Sequence, residues 1–278
     1  MGTQRTSGDI DTRIAAARDQ ATTPTELYEL ASDPSALVRA AVAARPDTPA
    51  EALRPLTRDF DRTVREAVAR NPSASQGNLL RLVGDHDRWV RWAVAGNPAC
   101  DARVRGVMAK AQDKELRGLL AEMPELEPEL AAGLIDDKSP EVRERLAAHT
   151  HDPDVISALL LDRAVRVRKG LAVNERTTAE HRHRLAGDSS PDVRATLVRA
   201  LELDEADLRT LLGDRSVEVR RSMATSAVTP PHIRRELEKD DDESVADDAR
   251  RYAASPAPAR RPGHRPALGK RFPGKAPR

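Results

Sequence analysis

Aromatic side chains are scarce in this 278-residue chain, with Trp, Tyr and Phe together making up 2% of it. A broad core would have to be assembled from Ala, Val and Leu alone, which suits thin, closely spaced helices. Cysteine is scarcer still, present only as Cys100. That excludes an intramolecular disulfide and any metal or iron–sulfur site built only from cysteine, and it fits a reducing compartment. Long apolar runs are missing as well. Nothing approaches the roughly 18 residues needed to cross a bilayer, and no signal-peptide core stands near the start. A cytoplasmic location without membrane attachment is expected, and the short Gly2-to-Thr6 spelling of a myristoylation site does not change that. No Gly-rich phosphate loop, nucleophile elbow or zinc-helix motif occurs, so no catalytic residue and no cofactor is expected, and the chain reads as a non-enzyme.

Charge is nearly balanced overall, at +1, but unevenly placed. Residues 251–278 hold eight Lys or Arg, six prolines, three glycines and no acid, which leaves a formal −7 on residues 1–250. With almost no apolar periodicity to offset its ordering entropy, this basic Pro-rich tail is expected to be disordered, as are residues 1–10.

The segment between them, residues 11–250, is periodic. "VRAAVAARPDTP" begins at Val38, "VREAVARNPSAS" at Val64 and "VRWAVAGNPACD" at Val90, each 26 residues after the last. The series runs on through Leu116, Val142, Val167, Val193, Val219 and Val245 with one step of 25. A fixed period of this size marks a solenoid, in which no unit buries its apolar face alone.

Each unit spells two short helices. Three residues before the Val stand Ser35, Asp61, Asp87, Asp113, Ser139, Ala164, Ser190, Ser216 and Asp242, and all but Ala164 are good N-caps. The Val and the residue four later, as in Val38 and Val42, share one helix face and form the seam between units. Proline in "RP", "NP", "NP" and "MP" at 45–46, 71–72, 97–98 and 123–124 stops the first helix. The second helix opens on the capping-box spellings Thr23 to Glu26, Thr48 to Glu51 and Thr177 to Glu180, and buries a recurring Leu or Met such as Leu30, Leu56, Leu82 and Met108. Helices this short are unstable alone, so stacking must hold them. The expectation is an all-α solenoid of about nine two-helix repeats.

A charge pair recurs with the same period: Asp33/Arg39, Asp59/Arg65, Asp85/Arg91, Asp137/Arg143, Asp162/Arg168, Asp188/Arg194 and Asp214/Arg220 all stand six apart. The pattern fails where Ala111 precedes Arg117 and where Asp240 precedes Ala246. Eight Arg at one period could line a phosphate track. Because an Asp accompanies nearly every Arg, an inter-repeat ion-pair ladder that fixes register is the expected role.

The unit "VRxAVAxNPxTPxxxLxxLxxD", read over 38–59 and again over 64–85, resembles the leucine-rich repeat variant family, and its Asp/Arg ladder resembles HEAT-type repeats more broadly. The resemblance extends over about residues 11–250 and implies a right-handed superhelix of short alternating helices that serves as an interaction scaffold. One branch of the family carries an iron–sulfur cluster on an N-terminal cysteine cluster, which Cys100 alone cannot provide. DNA glycosylases and chromophore lyases share HEAT-like superhelices, but their site motifs are not matched here. After the fourth unit the Asn-Pro signature fades into "HTHDPD", "NERTT" and "ALELD".

Subtracting this repeat grammar from residues 84–101, "GDHDRWVRWAVAGNPACD", leaves Arg88, Trp89, Trp92 and Gly96. Other units place mostly polar residues where the two tryptophans stand, so the pair is expected to point away from the seam and lie side by side. Gly96 and Gly118 border it with small residues, which predicts a glycine-floored recess beside the indoles, and Arg88 and His86 flank it. Indole and guanidinium groups of this kind dominate binding energy at protein interfaces, and the helix would line the concave face by resemblance to HEAT repeats. The bland reading is that the indoles fill a packing gap. A protein partner bound by a monomer is the favoured function. Nucleic acid held by the basic tail, with bases stacked on the Trp pair, is the alternative, although a face tracking phosphates should be more positive than this mixed one.

Cys100 is expected at the N-cap of a second helix, beside an opposing Asp101. His149 and His151 stand at a helix end, His181 and His183 would point to different faces of one helix, and no cysteine is near either pair, so no metal is expected.

Overall fold

A computed structural model describes residues 9–123 and 125–254. Among them are nineteen α-helices and no strand, from α1 (Ile10–Arg18) to α19 (Glu243–Ala254), in short alternating pairs. The last helix runs four residues past the boundary expected at 250. The basic tail and the first eight residues lie outside the described residues. The described residues divide into two compact units between Leu197 and Val198.

In the first unit the odd-numbered helices form one layer: α3 (Ala36–Ala44), α5 (Arg62–Arg70), α7 (Arg88–Ala95), α9 (Lys114–Ala121), α11 (Pro140–His149) and α13 (Val165–Leu171). The even-numbered helices form the other, namely α2 (Pro24–Leu30), α4 (Ala50–Leu56), α6 (Gln76–Leu82), α8 (Ala102–Ala109), α10 (Pro128–Ile135), α12 (Pro153–Leu159) and α14 (Ala179–Ala186). First helices pack on first helices of the next repeat, from α3 on α5 to α11 on α13, second helices likewise from α4 on α6 to α10 on α12, and paired helices such as α3 and α4 pack on each other, which is the arrangement of an all-α solenoid. The second unit repeats it with α16 (Glu205–Leu212), α17 (Val217–Thr225), α18 (Pro231–Leu237) and α19.

The core lies between the layers. Val38, Val42, Val64, Val68, Val90 and Val94 are wholly buried, as are Leu82 and Met108 from the second helices. Small side chains let the first-helix layer close up more tightly than the second. Its extreme is Gly170 on α13, where a Cβ would stand 2.6 Å from the Glu144 carbonyl oxygen and 3.1 Å from Cβ of Ala147 on α11.

Helix starts depart from the sequence reading in two ways. Asp61, Asp87 and Asp113 accept N–H bonds from Thr63, Trp89 and Glu115, whereas Ser35, Ser139 and Ser216 occupy the cap position without a side-chain bond. Ser139 instead donates to Glu141 at 2.6 Å. Only the first of the three expected capping boxes forms, between Thr23 and Glu26. The next helix is preceded by Pro49, and the third box is Thr178 with His181. The threonines in question turn backwards: Thr48 donates to the Val42 carbonyl at 2.7 Å, closing the end of α3, and Thr177 donates to that of Asn174 at 2.7 Å, within the turn that follows α13. Cys100 likewise is not the cap of α8, which is Asp101.

Candidate functional site

The Asp/Arg series is built from contacts across repeats. The Arg39 Nε and Nη2 atoms donate to the two oxygens of Asp59 at 2.6 and 2.8 Å, twenty residues on. Nη1 turns back to the main-chain carbonyl of Asp33 at 2.7 Å. The six-residue spacing therefore marks a side chain-to-backbone bond, and the ion pair belongs to the next unit. The same rung joins Arg13 to Asp33, Arg65 to Asp85, Arg117 to Asp137, Arg143 to Asp162, Arg168 to Asp188 and, in the second unit, Arg220 to Asp240. Arg194 donates to the Asp188 carbonyl at 2.5 Å. Each aspartate also accepts the N–H two residues later, as Asp85 does from Asp87 and Asp214 from Ser216, both at 2.8 Å. Three bonds per carboxylate fix the turn and the register together.

One rung is different. With Ala111 in place of the aspartate, Arg91 reaches Asp113 instead, and both Nε (3.2 Å) and Nη2 (2.5 Å) converge on a single oxygen. Asp113 is at the same time the cap of α9.

A second ladder was not read from the sequence. Asn71 and Asn97, taken only as helix stops, are buried, and their amide N–H groups span the repeats. Asn97 donates to the carbonyls of Ala69 (2.7 Å) and Asn71 (2.8 Å) and accepts from the Ala99 N–H. Asn174 does the same for Ala147 and Thr150, while Arg45 fills the role for Asp19 and Gln20. A buried polar residue at a fixed period was the available signal, because the first helix ends on carbonyls that need donors. Met123 holds that position in the fourth repeat and has no amide to give.

On α7, the four residues singled out lie together in part. The Trp89 and Trp92 rings meet edge to face, with centroids 5.1 Å apart and planes at 72°. The exposed Arg88 guanidinium lies 5.2 Å from one ring and 5.6 Å from the other, within cation–π range of both. Both indoles are half-buried, and the buried Nε1–H of Trp92 has no acceptor. Gly96 is the exposed C-cap, where a Cβ would touch only main-chain oxygens at 3.8 and 3.9 Å, so it is no floor beneath the rings. The recess expected over Gly118 is filled by Arg145, whose Nη1 would stand 2.8 Å from a Cβ there and which pairs with Glu115 and Glu122. His86 is turned to the ladder, 3.1 Å from Arg65 and 3.4 Å from Asp85.

The other candidates are structural. Cys100 is buried, and desolvation raises its thiol to about 11, so the thiolate is suppressed at neutral pH. His181 bonds Thr178 and Ser157, and no cluster of metal-ligating side chains occurs among the described residues. None of the described helices is long and apolar enough to cross a membrane.

Residues 36–61 and 62–87 match the family model "Leucine rich repeat variant". These are leucine-rich repeat variant units. A solved structure titled "A leucine-rich repeat variant with a novel repetitive protein structural motif" is 24% identical, covers 88% of this chain and 87% of that one, and superposes with a TM-score of 0.51, which shows the shared fold. An engineered protein (14% identity, covering 89% of this chain and 91% of that one, TM-score 0.33) and a designed armadillo repeat protein (17%, 87% and 97%, 0.18) also align. No curated protein matches the chain. The leucine-rich repeat variant units 36–61 and 62–87 end just before α7, so the Trp pair begins the repeat that follows them.

Proposed function

We propose that this helical-repeat protein is a non-catalytic, cytoplasmic scaffold that acts as a monomer and binds a protein partner on its first-helix layer, with Arg88, Trp89, Trp92 and Gly96 at the contact. The observation that carries the reading is the Trp89–Trp92 pair. Two half-buried indoles held edge to face beneath an exposed guanidinium form a rigid, largely apolar anchor, the chemistry that concentrates binding energy at interfaces. On the neighbouring first helices Arg70 is paired with Glu66 and Arg145 with Glu115 and Glu122, which favours a protein over a polyanion.

Affinity capture with the wild type and with Trp89→Ala/Trp92→Ala, at two salt concentrations and after nuclease treatment, tests this. A protein recovered by the wild type in both salts and lost with the double variant supports the reading. Capture that vanishes with nuclease, or that survives the double substitution, refutes it.

A further inference from the structure

The broken rung at Ala111 opens a groove. Between the third and fourth repeats lies a cavity of about 820 Å³ lined by Val83, Arg91, Val107, Ala111, Asp113 and Leu116. The second unit contains the groove in the same repeat register, with Leu212, Arg220, Glu236 and Asp240 at the places of Val83, Arg91, Val107 and Ala111, and there it measures about 380 Å³. Two differences explain the change. Asp240 closes the second groove by taking both Arg220 nitrogens (2.7 and 3.0 Å) and the Asp242 N–H (2.9 Å), while Glu236 keeps its wall acidic. At the first groove a methyl group replaces that carboxylate, and a half-exposed Val replaces the Glu.

The missing carboxylate leaves its donors short. Arg91 directs both fork nitrogens at one Asp113 oxygen, and the Asp113 N–H, whose counterpart in the other rungs is bonded by the aspartate, has no acceptor among the described residues. Arg103 and Lys110 on the rim have no ion pair among the described residues. The lining sets Arg91, Arg103 and Lys110 against Asp85 and Asp113, which leaves that end with a net positive charge even with Arg91 bound to Asp113, while its wall is apolar along Val83, Val107 and Leu116, and its size is that of a small-ligand pocket.

We propose that this groove binds the C-terminal carboxylate of a partner chain whose last residue is apolar, independently of the Trp patch. The terminal carboxylate takes the place of the absent aspartate, accepting from Arg91 and from the Asp113 N–H, and the terminal side chain packs on Val83, Val107 and Leu116. A chain terminus fits because carboxylate and apolar side chain leave the same Cα, as the adjoining cationic and apolar ends of the groove require.

The minimal probe is N-acetyl-L-leucine, titrated into the full-length, 15N-labelled protein and followed by NMR, with N-acetyl-L-leucinamide as the control. The acid should shift the Asp113 amide and Arg91 Nε signals saturably, and the amide should bind at least about tenfold more weakly, a difference of about 1.4 kcal/mol. Ala111→Asp, which restores the rung, should abolish binding, and the surface change Val107→Glu should weaken it about tenfold or more. Trp89→Ala/Trp92→Ala should leave it unchanged, so this site and the Trp patch fail separately. Equal binding of acid and amide, unaltered binding by Ala111→Asp, or no shift at about 50 mM acid would overturn the proposal. Tighter binding of octanoate than of glycyl-valyl-leucine would overturn its assignment to a peptide terminus.

Discussion

Replacing Asp85 by Asn tests the ladder where it is most enclosed. The Arg65 and Asp85 side chains retain only 5% and 7% of their exposure, and the rung comprises bonds of 2.7 and 3.1 Å between them and one of 2.8 Å to the Asp87 N–H. Asn keeps the shape and one acceptor but leaves the Arg65 charge buried without a counterion. Breaking such a pair costs about 3–5 kcal/mol, whereas Glu144→Gln, at a pair with side chains 47% and 36% exposed, should cost about 0–1 kcal/mol. With a urea m-value of about 2 kcal/mol/M, the Asp85→Asn midpoint should fall by about 1.5–2.5 M. Trp89 and Trp92 follow this rung directly in the chain, so their fluorescence reports the melting of this region even if the array loses cooperativity. The loss must also depend on pH. Burial pushes the Asp85 carboxyl up, but bonds from Arg65 and the Asp87 N–H, with the charges of Arg65 and His86, outweigh it and the net shift is downward. A carboxyl lowered on folding contributes fully above its unfolded pKa of about 3.9 and loses that contribution as pH falls through the folded value. The gap between wild type and Asp85→Asn should therefore be widest near neutrality and close in acid below that range. A midpoint shift no larger than that of Glu144→Gln, or a gap indifferent to pH, would refute the account of the ladder.

Two further outcomes follow from the packing. Asn97→Ala strips the buried carbonyls of Ala69 and Asn71 of their donor and should cost roughly 2–4 kcal/mol by urea unfolding, although no charge changes; a loss below about 0.5 kcal/mol would remove the amide ladder from the account. Gly170→Ala, normally favourable within a helix, should instead destabilise by about 1–3 kcal/mol, because its Cβ meets main-chain atoms of α11 that cannot yield. An unchanged or raised midpoint would show that the two helices separate freely.

The sequence by itself determined the architecture. A 26-residue period, proline stops and a Val/Leu seam leave one way to bury the apolar face, by stacking short helices, and residues such as Val64, Val90 and Leu82 are buried where that pattern places them. Local chemistry of this kind is written in neighbouring residues, and so is readable. What the tertiary structure decided is which groups meet across the period. Arg39 stands six residues from Asp33, yet its fork reaches Asp59, because the side chain lies across the junction and only its third nitrogen turns back. Asn97 spells a helix stop, but the depth of burial made it a staple. Gly118 promised a recess beside the indoles until Arg145, a full repeat later, filled it. The groove at Ala111 depends on the same distinction: one missing carboxylate reads as a lapse in a pattern, and only the stacked repeats turn it into a space with donors at its end.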